Sequence, residues 1–230
     1  MGQYYTPIII KANKISTFYS HDYGNGLKLM EHSYVGNDFV NAVLTAIRGN
    51  RARIAWIGDY SDSPYEDAYS TKLPFEKFER YYNDTWGKYR DKYKVNPTSE
   101  PVMTMNSGGW LINHSQKIYI NMAEYVALNK WHEEYDWFNR ETRKTEHCSY
   151  DMCVNPRSYD MCVNPLPLLT ACGNGRGGGD YHDKYPDYDK VGTWAFDVIE
   201  YAEELPLIYN ANRPPKTYKD VTLKYRFKEE

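Results

Sequence analysis

The sequence contains no apolar run of about 18 residues, the minimum for a transmembrane helix, so no membrane span is expected. It also has no excess of basic residues, because 28 Lys and Arg stand against 31 Asp and Glu, a formal net charge of -3. Surfaces that bind nucleic acid are usually strongly basic, so direct nucleic-acid binding is not expected. The first residues lack a basic segment followed by an apolar stretch, which argues against a secretory signal and for a cytoplasmic protein.

Recognisable catalytic motifs are lacking as well. The sequence has no Gly-x-Ser-x-Gly, no His-Glu-x-x-His and no phosphate-loop motif. We therefore expect a non-catalytic protein that holds no cofactor and no metal. Two clusters of hard ligands remain as metal-binding alternatives: His21-Asp22 with Glu31-His32, and Asp180 with His182 and Asp183.

Cysteine is scarce and irregularly spaced. The four cysteines are Cys148, Cys153, Cys162 and Cys172. Structural zinc sites usually use close Cys-x-x-Cys pairs, and a cytoplasmic compartment disfavours disulfides. Buried free thiols are the expected state.

Tyrosine, in contrast, is abundant, with 24 in 230 residues, and aromatic residues make up 16% of the chain. A tyrosine joins a large apolar ring to a hydroxyl group, so it suits both half-buried core positions and protein interfaces. An aromatic-rich core and a protein-binding surface both remain open as explanations.

Hydrophobic patterns predict an α+β fold. Strand patterns occur at residues 4–12, 15–21, 27–32, 53–58, 110–114, 117–121, 193–202 and 221–227. Helical patterns occur at residues 38–47, after a capping Asn37, and at 125–138. Strands and helices are grouped rather than strictly alternating, which favours an antiparallel or mixed sheet with helices packed on it.

The clearest periodic element is a long helix over about residues 74–94. Aromatic residues recur at helical spacing along one face: Phe75, Phe78, Tyr82, Trp86, Tyr89 and Tyr93. An aromatic stripe of this kind is typical of a core-facing helix. We expect it to pack on the sheet and to bury the first five rings.

An exact tandem repeat interrupts the second half of the chain. The octapeptide SYDMCVNP occupies residues 149–156 and again 158–165. Two copies are too few for a solenoid, so we expect one copy to be integral to the fold and the other to lie in a loop. We interpret residues 1–230 as a single domain in which about 123–163 form an insertion or excursion.

A glycine-rich segment follows at residues 173–181. It matches the Gly-x-Gly-x-x-Gly spacing, but a dinucleotide site requires a helix after this motif, and the residues that follow, 181–189, are turn-like and contain Pro186. Glycine-rich backbone can still bend its amide groups around an anion, and an arginine can add a bidentate donor. The candidate ligand-binding residues are Asn174, Arg176, Gly177, Gly178, Gly179, Asp180 and Tyr181.

Two stretches combine acidic and tyrosine residues. Residues 180–204 contain eight acids against two lysines, and residues 59–69 contain four acids and no base. Such surfaces would steer a basic partner and anchor it with aromatic rings, although a solvated acidic face is the simpler alternative. The candidate partner-binding residues are Asp59, Tyr60, Asp62, Tyr65, Glu66, Asp183, Tyr185, Asp187, Tyr188 and Asp189.

Three segments carry a resemblance to a known family: MGQYY at the start, YSHDYGNGLKLMEHS at residues 19–33, and NPLPLLT followed by GNGRGGGDY at residues 164–181. The chain resembles an uncharacterised family of phage and gut-bacterial proteins, specifically over residues 2–60 and 164–195. No activity is attached to that family, so the resemblance transfers no catalytic residue. It implies a phage accessory protein that acts in the host cytoplasm by binding and inhibiting a host protein, in the manner of an anti-CRISPR. A small-ligand or nucleotide-binding domain, or an enzyme using the glycine-rich segment, is the alternative.

Overall fold

A computed structural model describes residues 3–61, 72–87, 90–96, 108–133, 135–139, 143–148, 159–173, 188–203 and 213–227. The described chain is mixed α+β, and most of its strands belong to one sheet. The strands of that sheet are β1 Tyr5–Lys11, β2 Lys14–Thr17, β3 Ala52–Gly58, β4 Trp110–Asn113, β5 Ile118–Asn121, β10 Ala171–Cys172, β11 Val198–Ala202 and β12 Lys219–Asp220. Two further sheets of two strands each are formed by β6 Trp131–Glu133 with β9 Tyr159–Met161, and by β7 Tyr135–Asn139 with β8 Lys144–Cys148.

The main sheet has eight strands in the order β12-β5-β4-β11-β3-β1-β2, and β10 also pairs with β3. The pairs β10–β3 and β12–β5 are parallel, and the other pairs are antiparallel. The sheet is therefore mixed and mostly antiparallel, as the sequence patterns predicted.

The helices are short. They are α1 Leu29–His32, α2 Asp38–Ala46, α3 Phe75–Trp86, α4 Arg90–Tyr93, α5 Met122–Asn129 and α6 Pro165–Leu169. The predicted cap of α2 is confirmed, because the Asn37 side chain accepts hydrogen bonds from the backbone N–H groups of Phe39 and Val40. Asn164 caps α6 in the same way through the Leu166 N–H, at 3.0 Å.

Each face of the main sheet carries its own core. On one face, apolar side chains from β1, β3, β4, β5 and β11 pack with those of α2, α5 and α6. On the other face, Ile8, Ala55 and Ile57 pack with Phe78 of α3 and with Phe196. The alternation along β3 produces this division, because successive side chains of a strand point to opposite faces.

One edge of β3 is completed by two different segments. β10 pairs with its end at Trp56 and Ile57, and β11 pairs with its beginning at Ala52 and Arg53. Between them, the backbone N–H of Phe196 donates to the carbonyl of Ile54, at 2.7 Å. Phe196 adopts a left-handed backbone with φ of 61°, which costs a non-glycine residue of the order of 1 kcal/mol. The ring is fully buried against Phe78, and this burial offsets the cost.

The single long aromatic helix is not confirmed. Its residues form α3 and α4, and Gly87 between them has an extended backbone. A Cβ at Gly87 would lie 2.6 Å from the carbonyl oxygen of Asn83, so this close approach requires glycine. Phe78 is buried, and Tyr82 and Trp86 are half-buried. The side chain of Phe75 and all of Tyr89 lie outside the described residues.

Three other predicted elements are wrong in part. Residues 29–32 form a helical turn rather than a strand, because the Glu31 carboxylate accepts the Lys28 N–H at 2.9 Å and caps it. The predicted helix over 125–138 ends at Asn129, and strands follow. The predicted strand over 221–227 is not formed, because these described residues contain a 3-10 turn at Thr222–Lys224 and no strand.

The side chain of Asn129 connects the segments of the last two differences. Its amide nitrogen donates to the carbonyls of Tyr125 and Tyr225, each at 3.0 Å, and its oxygen accepts the Phe227 N–H at 2.7 Å. The buried amide thus ends α5 and binds the 225–227 segment there. A hydrophobic pattern cannot reveal such a side-chain-to-backbone bond.

The second copy of the tandem octapeptide is integral to the fold, as expected of one copy. It contributes β9, two buried residues at Cys162 and Val163, and the cap of α6 at Asn164. The first copy, residues 149–156, lies outside the described residues.

Candidate functional site

The beginning of β1 and the end of β3 meet at one corner of the main sheet. The Tyr4 N–H donates to Oδ1 of Asp59 at 2.9 Å, and the Asp59 N–H donates to the Tyr4 carbonyl at 2.9 Å. These reciprocal bonds join the half-buried Asp59 to Tyr4, which is 45% exposed, and the residue that follows Asp59, Tyr60, is 44% exposed. Tyr4, Asp59 and Tyr60 together are called the Tyr4–Tyr60 surface below.

Helix α3 supports this corner from beneath. The Tyr82 hydroxyl donates to the Asp59 carbonyl at 2.7 Å, and the Trp86 indole N–H donates to the Ile57 carbonyl at 2.8 Å. Both donors lie on the aromatic stripe of α3. The stripe therefore fixes the position of the end of β3 in addition to filling the second core.

The first acidic stretch, residues 59–69, and the glycine-rich segment, residues 173–181, both begin at this corner. The Ser61 hydroxyl donates to the carbonyl of Cys172, and so joins the start of the first acidic stretch to the start of the glycine-rich segment. A Cβ at Gly58 would clash with the Gln3 side chain, and a Cβ at Gly173 would clash with the side chains of both Gln3 and Tyr5. The carboxyl ends of the parallel strands β3 and β10 thus converge here.

Lys72, which lies after the first acidic stretch, is close to Thr193 and Asp197, which lie after the glycine-rich segment. The Lys72 ammonium donates to the Thr193 carbonyl at 2.6 Å and lies 3.2 Å from Oδ1 of Asp197. Asp197 is only 4% exposed, and its Oδ2 accepts from the amides of Asn113 at 2.8 Å and Gln116 at 2.6 Å. An ion pair between the half-buried Lys72 and the buried, multiply bonded Asp197 therefore connects the two segments on this side of the fold.

The predicted site residues are only partly within the described chain. Asp59 and Tyr60 lie in the Tyr4–Tyr60 surface, and Asp189 is an exposed carboxylate that pairs with Lys190 at 2.7 Å. The other candidates lie outside the described residues, together with the side chain of Tyr188. They are Asp62, Tyr65, Glu66, Asn174, Arg176, Gly177, Gly178, Gly179, Asp180, Tyr181, Asp183, Tyr185 and Asp187.

Several acids of the second stretch have cationic partners inside the fold. Asp197 pairs with Lys72, Glu203 pairs with Arg48 at 3.5 Å, and Glu200 lies 3.8 Å from Nε of Arg51. Their negative charge is therefore largely compensated within the chain. Asp189 also pairs with Lys190, although it is exposed, so an acidic partner-binding surface has to depend mainly on Asp59 and the acids outside the described residues.

The first hard-ligand cluster is dispersed in the structure. Asp22 pairs with Lys94 at 2.8 Å, Glu31 caps α1, and His32 is fully buried. Over the described ranges, no three His, Cys, Asp or Glu side chains are placed to hold a metal ion. The second cluster, Asp180 with His182 and Asp183, lies outside those ranges.

Cys162 and Cys172 are free and buried, as expected of them. Burial raises the pKa of the Cys162 thiol to about 12, although the nearby Lys130 charge opposes the shift. A thiol that stays protonated at neutral pH is a poor nucleophile and a poor metal ligand, which identifies Cys162 as a packing residue.

Sequence reasoning missed Tyr4 and Tyr82 as parts of this site. Tyr4 was interpreted as the first strand residue and Tyr82 as a core ring, and neither assignment distinguishes a position at the sheet corner.

Within the described parts of the chain, no helix has the length and apolar character needed to cross a membrane. Comparisons with models of protein families, with curated proteins and with solved structures found no match.

Proposed function

We propose that the chain is a phage-type accessory protein that binds and inhibits a host protein with a basic surface. The class of partner we propose is a nucleic-acid-targeting defence complex, as for an anti-CRISPR protein. The observation that carries the proposal is the Tyr4–Tyr60 surface, where Asp59 is bonded to one exposed tyrosine and is followed in the chain by another. Exposed tyrosines are enriched among the residues that dominate protein interfaces.

The position of Asp59 favours a cationic partner. Asp59 accepts the Tyr4 N–H through Oδ1, and no ion pair to this carboxylate is present among the described residues. A carboxylate can accept several hydrogen bonds, so this group retains capacity for a lysine or an arginine of a partner. The two tyrosine rings would exclude water around such a pair and strengthen it.

The predicted acids of the two stretches extend this proposal. Asp62 and Glu66 follow the corner directly in the first stretch, and Asp183, Asp187 and Asp189 belong to the second. Their charges would accelerate the encounter with a basic surface and make it dependent on salt. The resemblance to phage proteins supports a host target, and occlusion of its nucleic-acid-binding surface would inhibit it.

The test begins with affinity capture of the tagged chain from a lysate of the bacterial host. A partner found in this way is purified and its Kd is measured for the wild-type chain and for a Tyr4→Ala, Tyr60→Ala double variant. Loss of one aromatic anchor typically costs about 2 kcal/mol, so the double variant is expected to bind at least thirtyfold more weakly. The matched control is Leu223→Ala, which truncates an apolar side chain that is 66% exposed elsewhere on the molecule.

Equal Kd values for the double variant and the control would contradict the proposed surface. Reversal of the charges of Asp183, Asp187 and Asp189 is expected to slow association at low salt and to have little effect at high salt. An unchanged association rate would exclude the acidic contribution while leaving the aromatic anchors to be judged by the first experiment. Inhibition is measured as loss of target cleavage by a purified defence complex.

A second candidate function, ligand binding by the glycine-rich segment, is favoured by the topology of the corner. The segment follows β10, whose carboxyl end lies beside that of the parallel strand β3. Loops at the carboxyl ends of parallel strands are common positions for ligand sites. Gln3, Tyr5 and Ser61 add polar side chains where the segment begins.

Thermal unfolding with nucleotides, nicotinamide cofactors, inorganic phosphate and divalent cations tests this second candidate. A binding ligand is expected to raise the Tm by mass action, and Arg176→Ala is expected to abolish the shift for an anion. A panel without any shift would remove the candidate. Because Arg176 is not among the proposed partner anchors, the two functions are separable.

A further inference from the structure

A carboxylate, an imidazole and a phenol form a continuous hydrogen-bonded chain on the second face of the main sheet. His114 Nε2 lies 2.8 Å from Oε2 of Glu200, and His114 Nδ1 lies 3.2 Å from the hydroxyl of Tyr218. The two rings meet edge to face with their centroids 5.6 Å apart. These residues are separated by 86 and 104 positions in the sequence, so only the fold brings them together.

The sheet fixes all three side chains. Glu200 lies on β11 opposite Ile112 of β4, and His114 directly follows β4 with its N–H donating to the Val198 carbonyl at 2.9 Å. Tyr218 directly precedes β12, which is parallel to β5. Side chains held by neighbouring strands lose little further entropy when they act together, which is the condition for a preorganised site.

The hydrogen bonds define a direction for proton movement. Glu200, as a carboxylate, can only accept, so Nε2 of His114 carries the proton. Nδ1 then carries a lone pair and accepts a hydrogen bond from the Tyr218 hydroxyl. Burial lowers the pKa of His114, which keeps the imidazole neutral and available as a base at neutral pH, although the Glu200 carboxylate opposes the shift. A hydroxyl, a base and a group that orients the base are the three parts of an activated nucleophile.

The surroundings of Tyr218 are cationic, although the whole chain is acidic. Arg51 lies with its Nε 3.8 Å from Oε2 of Glu200, and its side chain is 64% exposed. Lys117, Lys216 and Lys219 are exposed, and the Lys219 N–H donates to the Lys117 carbonyl at 3.0 Å. The neighbouring Asp220 carboxylate is engaged by the Thr222 hydroxyl and N–H. Exposed cations around a nucleophile suit an anionic substrate.

We propose that Tyr218 is a nucleophile for phosphoryl transfer and that the substrate class is a phosphodiester. His114 acts as its general base, and Glu200 positions the imidazole. The exposed cations, Arg51 and the three lysines, hold the phosphoryl oxygens. This activity differs from the binding role of the Tyr4–Tyr60 surface and departs from the expectation that the chain is non-catalytic.

The reaction balances with water as the only co-reactant. Tyr218 Oη forms a bond to phosphorus while its proton moves to His114 Nδ1, and the phosphorus–oxygen bond to the leaving group breaks. The leaving oxygen departs opposite Tyr218 and takes a proton from solvent. Water then attacks the phosphotyrosine and releases one proton to solvent, the bond between phosphorus and Tyr218 Oη breaks, and the phenolate recovers its proton from His114. The products are a phosphomonoester and an alcohol.

The test uses bis(p-nitrophenyl) phosphate, whose leaving group needs no acid catalyst. The full-length chain is expected to release p-nitrophenolate in a burst and to gain an aryl phosphate on the peptide that contains Tyr218, detected by mass spectrometry. Tyr218→Phe is expected to abolish the adduct, and His114→Gln to slow its formation by about a hundredfold or more. The control is Tyr119→Phe, which removes a neighbouring hydroxyl of β5 and is expected to label normally.

Labelling of Tyr218 that depends on His114 confirms the assignment. An adduct spread over several tyrosines, or equal labelling of His114→Gln and wild type, overturns it, and so does a lack of adduct in wild type. Circular dichroism shows whether each variant is folded, and Glu200→Gln supplies a second measurement if His114→Gln is not. Because Glu200→Gln keeps the size of the side chain but removes its charge, it is expected to shift the pH dependence of labelling.

Discussion

The indole N–H of Trp56 donates to Nε2 of His32 across 3.1 Å in a fully buried part of the core. Because Nε2 accepts, the proton of the neutral ring lies on Nδ1, which donates to the Gly26 carbonyl at 3.1 Å. Both nitrogens are thus satisfied only when His32 is neutral. Protonation of Nε2 would break the bond to Trp56 and place a charge in the core.

This arrangement predicts a loss of stability in mild acid. Burial lowers the pKa of His32 from 6.5 to about 4, while the Gly26 hydrogen bond opposes the shift. At pH values between 6.5 and about 4, His32 is protonated in the unfolded chain but neutral in the folded chain. The free energy of unfolding therefore falls as the pH drops from 6.5 towards 4. The loss is of the order of 3 kcal/mol. Urea unfolding at a series of pH values measures it.

The assignment to His32 is checked with two substitutions. His32→Gln is expected to lower stability at neutral pH and to flatten the dependence below pH 6.5, because the titrating group is gone. His21→Gln, which changes an exposed histidine, is expected to leave the dependence unchanged. A slope that survives in His32→Gln would assign the acid sensitivity to other groups.

Asp197→Ala is expected to destabilise the fold by about 3 to 5 kcal/mol, because it leaves the Lys72 ammonium without its counter-charge. It also removes the acceptor of the buried Asn113 amide and of the Gln116 amide. Chemical denaturation measures the change in the free energy of unfolding. Asp189→Ala removes a carboxylate whose side chain is 66% exposed and is expected to change stability by less than about 0.5 kcal/mol. Similar values for the two variants would contradict the importance of the buried network.

Gly109→Ala is expected to cost more than Gly49→Ala. Gly109 has φ of 134°, and a Cβ there would lie 2.6 Å from the Ala202 carbonyl oxygen. Gly49 has φ of 62° and open space around the position, so only the left-handed backbone is penalised, by about 1 kcal/mol. We expect about 2 kcal/mol or more for Gly109→Ala, measured by thermal unfolding. A smaller cost than that of Gly49→Ala would show that β4 and β11 can separate at this point.

Tyr82→Phe tests the support of the Tyr4–Tyr60 surface. The substitution removes the hydroxyl that donates to the Asp59 carbonyl and is expected to lower stability by about 1 kcal/mol. It is also expected to weaken partner binding, because the Asp59 backbone loses a fixed position. Tyr60→Phe removes an exposed hydroxyl and is expected to leave stability unchanged, so a denaturation curve for each variant separates the two roles.

Patterns of hydrophobic residues predicted the elements whose conformation depends on burial. The strand at β3, the hairpin of β4 and β5, and the Asn37-capped α2 all follow from alternation, helical spacing or a capping residue. The failures occur where a single residue determines the path of the chain. Glu31 turns a strand pattern into a helix, Asn129 ends α5, and Gly87 interrupts the aromatic stripe.

The candidate site could be predicted only in outline. Asp59 and Tyr60 were identified from the local mixture of acid and tyrosine, but Tyr4 joins them through a pairing of strands that lie about 50 residues apart. The chain of Glu200, His114 and Tyr218 gives no local signal, because its members come from three separate segments. Residue spacing predicts contacts between residues that are near one another in the sequence. The contacts of Tyr4 with Asp59, and of His114 with Glu200 and Tyr218, depend instead on the order of the strands in the sheet.

The shared edge of β3 has a consequence for biosynthesis. β3 ends at Gly58, but β11, which completes its second edge, begins at Val198, about 140 residues later. At about 5–20 residues per second, a ribosome needs roughly 7 to 30 s to make the intervening chain. The Tyr4–Asp59 contact can form early, since it needs only β1 and β3. The other edge of β3 remains open to strands of other nascent chains during that interval, so we expect interrupted synthesis to yield aggregates rather than partly functional fragments.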